Sequence, residues 1–216
     1  MQIDRRALLA VGLSMSAGAA VAACSPGGGG APAAAASADM ALGDANAKVT
    51  LIEYASVTCS HCADFKKNVY PQIKANYIDT GKIRFIFREF TTPPNEVSAA
   101  GFLLARCNNP TPEQYFARLD VLFEQQIPIF EALQAGQVRT ALLNIARSAG
   151  LTEEQFNACV TDQAGIARIK AGEEAAIKEF QITGTPTLIL NGQKLTDPAQ
   201  YLYEGLAKAI DAKLGS

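Results

Sequence analysis

Cys59-Ser60-His61-Cys62 stands directly after the run Val49-Thr50-Leu51-Ile52-Glu53-Tyr54-Ala55. That run is almost continuously apolar, the pattern of a strand buried on both faces, and the segment after it reads as a helix. The motif therefore opens a helix, where unpaired backbone N–H groups and the positive end of the helix dipole gather. A thiolate at Cys59 would rest on that charge and ionise at a lowered pH. Two thiols one helical turn apart can close into a disulfide and reopen, so the pair reads as a thiol–disulfide exchange centre rather than a structural bridge.

Metal chemistry competes for the same motif. Structural zinc takes four ligands, usually from a second Cys or His pair. The chain has one histidine, His61, inside the motif itself, and its other cysteines, Cys24, Cys107 and Cys159, are isolated. Zinc does not fit that ligand count. Copper(I) needs only two soft thiolates and stays open as a rival, without a Met-rich segment beside it (three Met in all). A length of 216 residues, 49% hydrophobic, suits one globular domain, and no Lys/Arg run points to nucleic acid.

The first 23 residues read as a signal peptide. Asp4-Arg5-Arg6 is a charged start, and 7–23 is apolar, rich in Ala, Gly and Ser and short for a membrane span. Arg5-Arg6 fits general or twin-arginine export alike. Val21-Ala22-Ala23-Cys24 resembles a bacterial lipobox, in which Cys24 becomes the lipidated N-terminus; the other reading is an ordinary cleavage site with Cys24 incidental. Ser25 after the cysteine favours the outer membrane. Residues 24–39 then form the anchor and a Gly/Ala/Pro tether. Its uncharged stretch Ser25 to Ala38 has a span of roughly 20 Å as a flexible coil. In an oxidising compartment Cys107 and Cys159 are left to bridge; two free, buried helical cysteines are the alternative.

After the motif, a helix is expected to about Thr80, with Pro71 kinking or breaking it. Residues 82–88 alternate as a second strand. From Asn95 to Phe180 the signals are helical, including capping boxes at Thr111/Gln114 and Thr152/Gln155, and Gly150 as a helix stop. Thr187-Leu188-Ile189-Leu190 and the strand after Asn191-Gly192 form a hairpin. A last amphipathic helix is expected over 198–214, burying Leu202, Leu206 and Ile210.

Strand, helix, strand, helical block, hairpin, helix, with Cys59-Ser60-His61-Cys62 after one strand and Gly184-Thr185-Pro186-Thr187 before another, resembles the DsbA family over 40–214. The resemblance implies an α/β, thioredoxin-like fold: a first half at 40–94, an inserted all-helical subdomain at 95–180 and a second half at 181–216. It makes Cys59 the nucleophile and Cys62 its buried partner, with His61 steadying the Cys59 thiolate. Pro186 becomes the family's cis-proline, with Thr185 offering backbone groups to a bound peptide. Glu53 becomes a buried proton relay to Cys62; otherwise it points to an edge or pairs with a lysine. Ser60 departs from the family's usual proline.

The resemblance implies an enzyme of the bacterial envelope that oxidises thiols of exported proteins, is recycled by a DsbB-like quinone-linked partner, is monomeric and needs no cofactor. Thr185 before the proline resembles the isomerase branch, which a DsbD-like partner keeps reduced, while His61 resembles the oxidase branch. A lipid anchor at Cys24 would hold the domain at the periplasmic face of a membrane.

Overall fold

The structure, a computed structural model, describes residues 39–215. The expected signal segment, Cys24 and the tether through Ala38 lie outside the described residues. Strands β1 (Met40–Gly43), β2 (Val49–Ala55), β3 (Ile83–Glu89), β4 (Thr187–Leu190) and β5 (Gln193–Lys194) form one sheet in the order β1-β3-β2-β4-β5. β2 runs parallel to β3, and every other pairing is antiparallel. The fold is thioredoxin-like, with helices between β3 and β4 as the insertion.

β2 lies between β3 and β4 and is buried almost throughout. Alternation along a strand sends its side chains to two cores. Leu51 and Ala55 join the large core under α1 (Ser60–Asn68) and the insertion; Ile52 and Tyr54 join a smaller core with Ile86, Ala176, Ile182 and Ile189. Glu53, between Ile52 and Tyr54, faces the large core.

Pro71 breaks the helix after the motif. α1 ends at Asn68, α2 (Tyr70–Ile73) restarts with the proline in its first turn, and a π-helical turn covers Lys74–Ile78. The insertion comprises α3 (Asn95–Ala105), α4 (Pro112–Glu124), α5 (Gln126–Gln134), α6 (Val138–Ser148), α7 (Glu153–Val160) and α8 (Gln163–Phe180). Both capping boxes are formed, and Gly150 takes a left-handed φ of +78° just past α6.

Three features differ from expectation. Asp39, placed in the tether from sequence, is held in the fold by a two-pronged pair with Arg88 at 2.9 Å on each oxygen, beside the unforeseen edge strand β1. The last helix is split: a 3-10 turn at Pro198–Tyr201 is capped by Asp197, Leu202 is extended, and α9 (Tyr203–Leu214) comes next. The turn packs on α9 so closely that a Cβ at Gly205 would overlap the Ala199 carbonyl. Leu202 is thereby turned outward, 65% exposed, while Leu206 and Ile210 are fully buried. Among the described residues, no helix is long and apolar enough to cross a membrane.

Candidate active site

β2 delivers the chain to a buried loop, Ser56–Thr58, and Cys59 then serves as the N-cap of α1, with extended backbone (φ −90°, ψ 120°). The loop is anchored from the insertion. Ser56 Oγ lies 2.8 Å from Ser98 Oγ, and Gln126 Nε2 donates to Val57 O at 2.8 Å and to Cys59 O at 3.1 Å. Thr58 Oγ1 donates to Thr92 O at 2.9 Å. Cys59 is partly exposed and Cys62 fully buried, both as free thiols.

From the far end of the sequence, Thr185 brings its carbonyl oxygen to 3.3 Å from Cys59 Sγ, and the Thr185–Pro186 peptide bond is cis. Thr185 Oγ1 is buried without a hydrogen-bond partner while Cys59 is a thiol. Once charged, the Cys59 sulfur is held chiefly by the Cys62 thiol, then by Thr185 and the backbone N–H groups of Cys62 and His61. Burial opposes these donors, yet the balance lowers the Cys59 pKa from 9.0 to about 5. Cys62 is pushed the other way, far above the thiol range, by burial first, then by its hydrogen bond to Cys59 and the charge of Glu53. One sulfur is thus built to be a thiolate and the other to stay protonated. From His61 it is the backbone N–H that reaches the sulfur; the side chain is exposed and lines a cavity of about 630 Å³ with Thr185, Pro186, Phe65 and Leu202.

Glu53 pairs in register with Phe87 on one side and Leu188 on the other, so it sits mid-sheet rather than at an edge. Its burial, at 2% exposure, raises its pKa to about 8 against the opposing charge of Lys66, and a thiolate at Cys59 adds to the rise. Lys66 projects from α1, pairs with Asp120 at 2.6 Å and lies over the Tyr70 ring. A carboxyl poised near neutrality beside a buried thiol can give and take a proton.

Comparisons with known proteins bear on the fold and the family. A family model described as Thioredoxin matches residues 35–212. The crystal structure of Wolbachia pipientis alpha-DsbA1 superposes with a TM-score of 0.70 at 30% identity, covering 82% of this chain and 91% of that one. The chain belongs to the DsbA family. Oxidised BdbD of Bacillus subtilis, 20% identical with a TM-score of 0.67, shares the fold over 83% of this chain and 95% of its own. A curated Rickettsia bellii relative, described as a candidate protein-disulfide oxidoreductase, is 30% identical over 173 residues, 80% of this chain and 63% of its own. The chain spans about three fifths of the length of the first Rickettsia relatives, at 61%, 63% and 60%.

In this DsbA-family chain the other two described cysteines pair with each other rather than with the motif. Cys107, just after α3, and Cys159, in α7, form a disulfide inside the insertion, with Cα atoms 5.5 Å apart. Among the described residues, no three His, Cys, Asp or Glu side chains converge to hold a metal. Sequence reasoning passed over Gln126, Ser98 and Lys66. Nothing local marks the first two, because their partners lie 69 and 42 positions away. Lys66 does carry a local signal, four residues past Cys62, on the same helical face.

Proposed function

We propose that this protein is a thiol:disulfide oxidoreductase that oxidises the thiols of exported proteins. The observation that carries the reading is the contrast between its two sulfurs: Cys59 stabilised as a thiolate at a pKa of about 5, Cys62 buried and held as a thiol. A disulfide whose reduced form is so stabilised is a strong electron acceptor.

In the oxidised enzyme a substrate thiolate attacks Cys59 Sγ. The Cys59–Cys62 bond breaks, Cys62 leaves with the electron pair, and the protonated Glu53 beneath supplies its proton. A second substrate thiolate then attacks the substrate sulfur of the mixed disulfide and expels Cys59 as the stabilised thiolate. The substrate departs with a disulfide, having lost two electrons to the enzyme disulfide, which is left as the dithiol. In this reading Thr185 and Pro186 present backbone to an extended substrate next to Cys59. A DsbB-like quinone-linked membrane protein removes the electrons, and lipid at Cys24 keeps the monomer at the periplasmic face of the envelope, with the outer membrane favoured.

Thr185 before the proline supports a second reading, an isomerase or reductase that a DsbD-like partner keeps reduced. Acid trapping in cells, followed by a mass-tagged alkylating agent, separates the two. Cys59 and Cys62 found mainly as a disulfide supports the oxidase. The same pair found mainly free, while Cys107 and Cys159 stay bridged, overturns it in favour of the reduced role.

A further inference from the structure

We infer that Gln126 is a positioning residue through which the helical insertion holds the Cys59 thiolate in its stabilised geometry. Gln126 opens α5 and is 7% exposed, an uncommon depth for a polar side chain. Its amide nitrogen donates to Val57 O at 2.8 Å and to Cys59 O at 3.1 Å. The amide has two N–H groups and both are used. Its orientation is also determined, because the flipped amide would face its own oxygen to two carbonyl oxygens.

One of those carbonyls belongs to Cys59 itself and the other to the residue two before it. The Cys59 carbonyl already accepts the N–H of Ala63 at 3.1 Å, as the first rung of α1. The Gln126 bond adds a second donor to the same oxygen and fixes the plane of the Cys59–Ser60 peptide at the helix start. That start aims the His61 and Cys62 N–H groups at the sulfur. Released from Gln126, the Val57–Thr58 and Cys59–Ser60 peptide planes gain freedom to rotate, and the N–H groups lose their aim. That raises the energy of the thiolate and leaves the thiol almost untouched.

Gln126 belongs to the insertion rather than to the thioredoxin-like half, so it makes the redox properties of the motif depend on the helical block. This inference rests on the thiol-exchange reading only for its consequence. The measurement needs no substrate: the Cys59 thiolate is titrated by its ultraviolet absorbance in the reduced full chain. Gln126→Met keeps length and bulk but has no donor, and Gln126→Ala removes the side chain. Both are expected to raise the Cys59 pKa by about half a unit, which shifts the equilibrium with glutathione about threefold toward the disulfide form. Both should lower the melting temperature of the reduced form more than that of the oxidised form. An unchanged pKa in Gln126→Met, a shift confined to one variant, or equal losses in the two redox states would make Gln126 a packing contact and overturn the inference. A wild-type Cys59 that titrates like an ordinary thiol would instead sink the oxidase reading itself, so the two failures are distinguishable.

Discussion

The Cys59 sulfur meets the Thr185 carbonyl oxygen at 3.3 Å across 126 positions of sequence. This contact closes the site: β2 and α1 bring the sulfur from one half of the fold, and the segment before β4 brings the acceptor from the other. The same segment also lines a cavity: Thr185 and Pro186 border it together with His61, two positions after the sulfur.

Thr185 acts on the sulfur through its side chain as well as its carbonyl, and its hydroxyl has no competing partner. Thr185→Val keeps the branched shape and removes that donor. The Cys59 pKa is expected to rise by less than one unit, since a single hydrogen bond contributes about 1 kcal/mol. Thiolate titration of the variant checks this; an unaltered pKa would leave the carbonyl as the only contribution of Thr185.

The reduced and oxidised forms should respond differently to pH. In the reduced form Cys59 has a folded-state pKa of about 5 against an ordinary value of 9.0. Between those values the folded chain holds fewer protons than the unfolded one, so stability from Cys59 grows as pH rises through this window. It is lost as pH falls through about 5. The oxidised form has no thiolate there. The melting-temperature difference between reduced and oxidised protein is therefore predicted to widen with pH over this window and to close below it. Paired thermal melts measure it, and a pH-independent difference would remove the stabilised thiolate from the account.

Much of the fold was legible because its determinants are local. Alternation and apolar runs marked β2, β3 and the β4–β5 hairpin, and Thr111, Thr152 and Gly150 marked helix ends within a turn of themselves. The misses depend on distant partners. β1 is a short edge strand that owes its place to β3 and to the pairing of Asp39 with Arg88, 49 positions away. Leu202 keeps the helical spacing of Leu206 and Ile210, yet the capped turn at Pro198–Tyr201 and its close approach to Gly205 turn it outward. At the site, the motif announced its sulfurs, while the groups that anchor their loop came from helices whose sequence shows only an amphipathic pattern.

The Cys107–Cys159 bridge closes 52 residues of the insertion. Chain entropy credits such a closure with up to about 4 kcal/mol, less any native strain. The double variant Cys107→Ala/Cys159→Ala is predicted to melt about 8–15 °C lower, by the scaling for a domain of this size. Neither residue touches the motif, so the Cys59 titration should keep its midpoint. Calorimetry and thiolate absorbance on one sample test both halves, and a moved midpoint would couple the bridge to the site.

Glu53 offers the sharpest test of mechanism, because its effect on stability runs opposite to that of Cys59. Its pKa is raised from 4.5 to about 8 in the folded state, so the folded chain holds more protons than the unfolded one between these values. The associated stability is present below 4.5 and is lost as pH rises through about 8. The loss is on the order of 5 kcal/mol at the limit, and smaller in the oxidised form, where Cys59 carries no charge to repel the carboxylate. Glu53→Gln should flatten the alkaline decline of the oxidised protein and leave it more stable above neutrality. Lys66→Met, which removes the cation that favours the ionised carboxyl, should move the same decline to higher pH. A carboxyl that serves only structure would show these shifts and nothing else. A proton relay predicts more: Glu53→Gln should slow mixed-disulfide formation, and its reversal by attack of Cys62, by on the order of a hundredfold, and should erase the dependence of those rates on pH near the Glu53 pKa. Stopped-flow mixing of oxidised enzyme with a model dithiol across that pH range measures the rates directly. Wild-type rates in Glu53→Gln, alongside the altered stability profile, would leave Glu53 a buried acid without a part in the exchange.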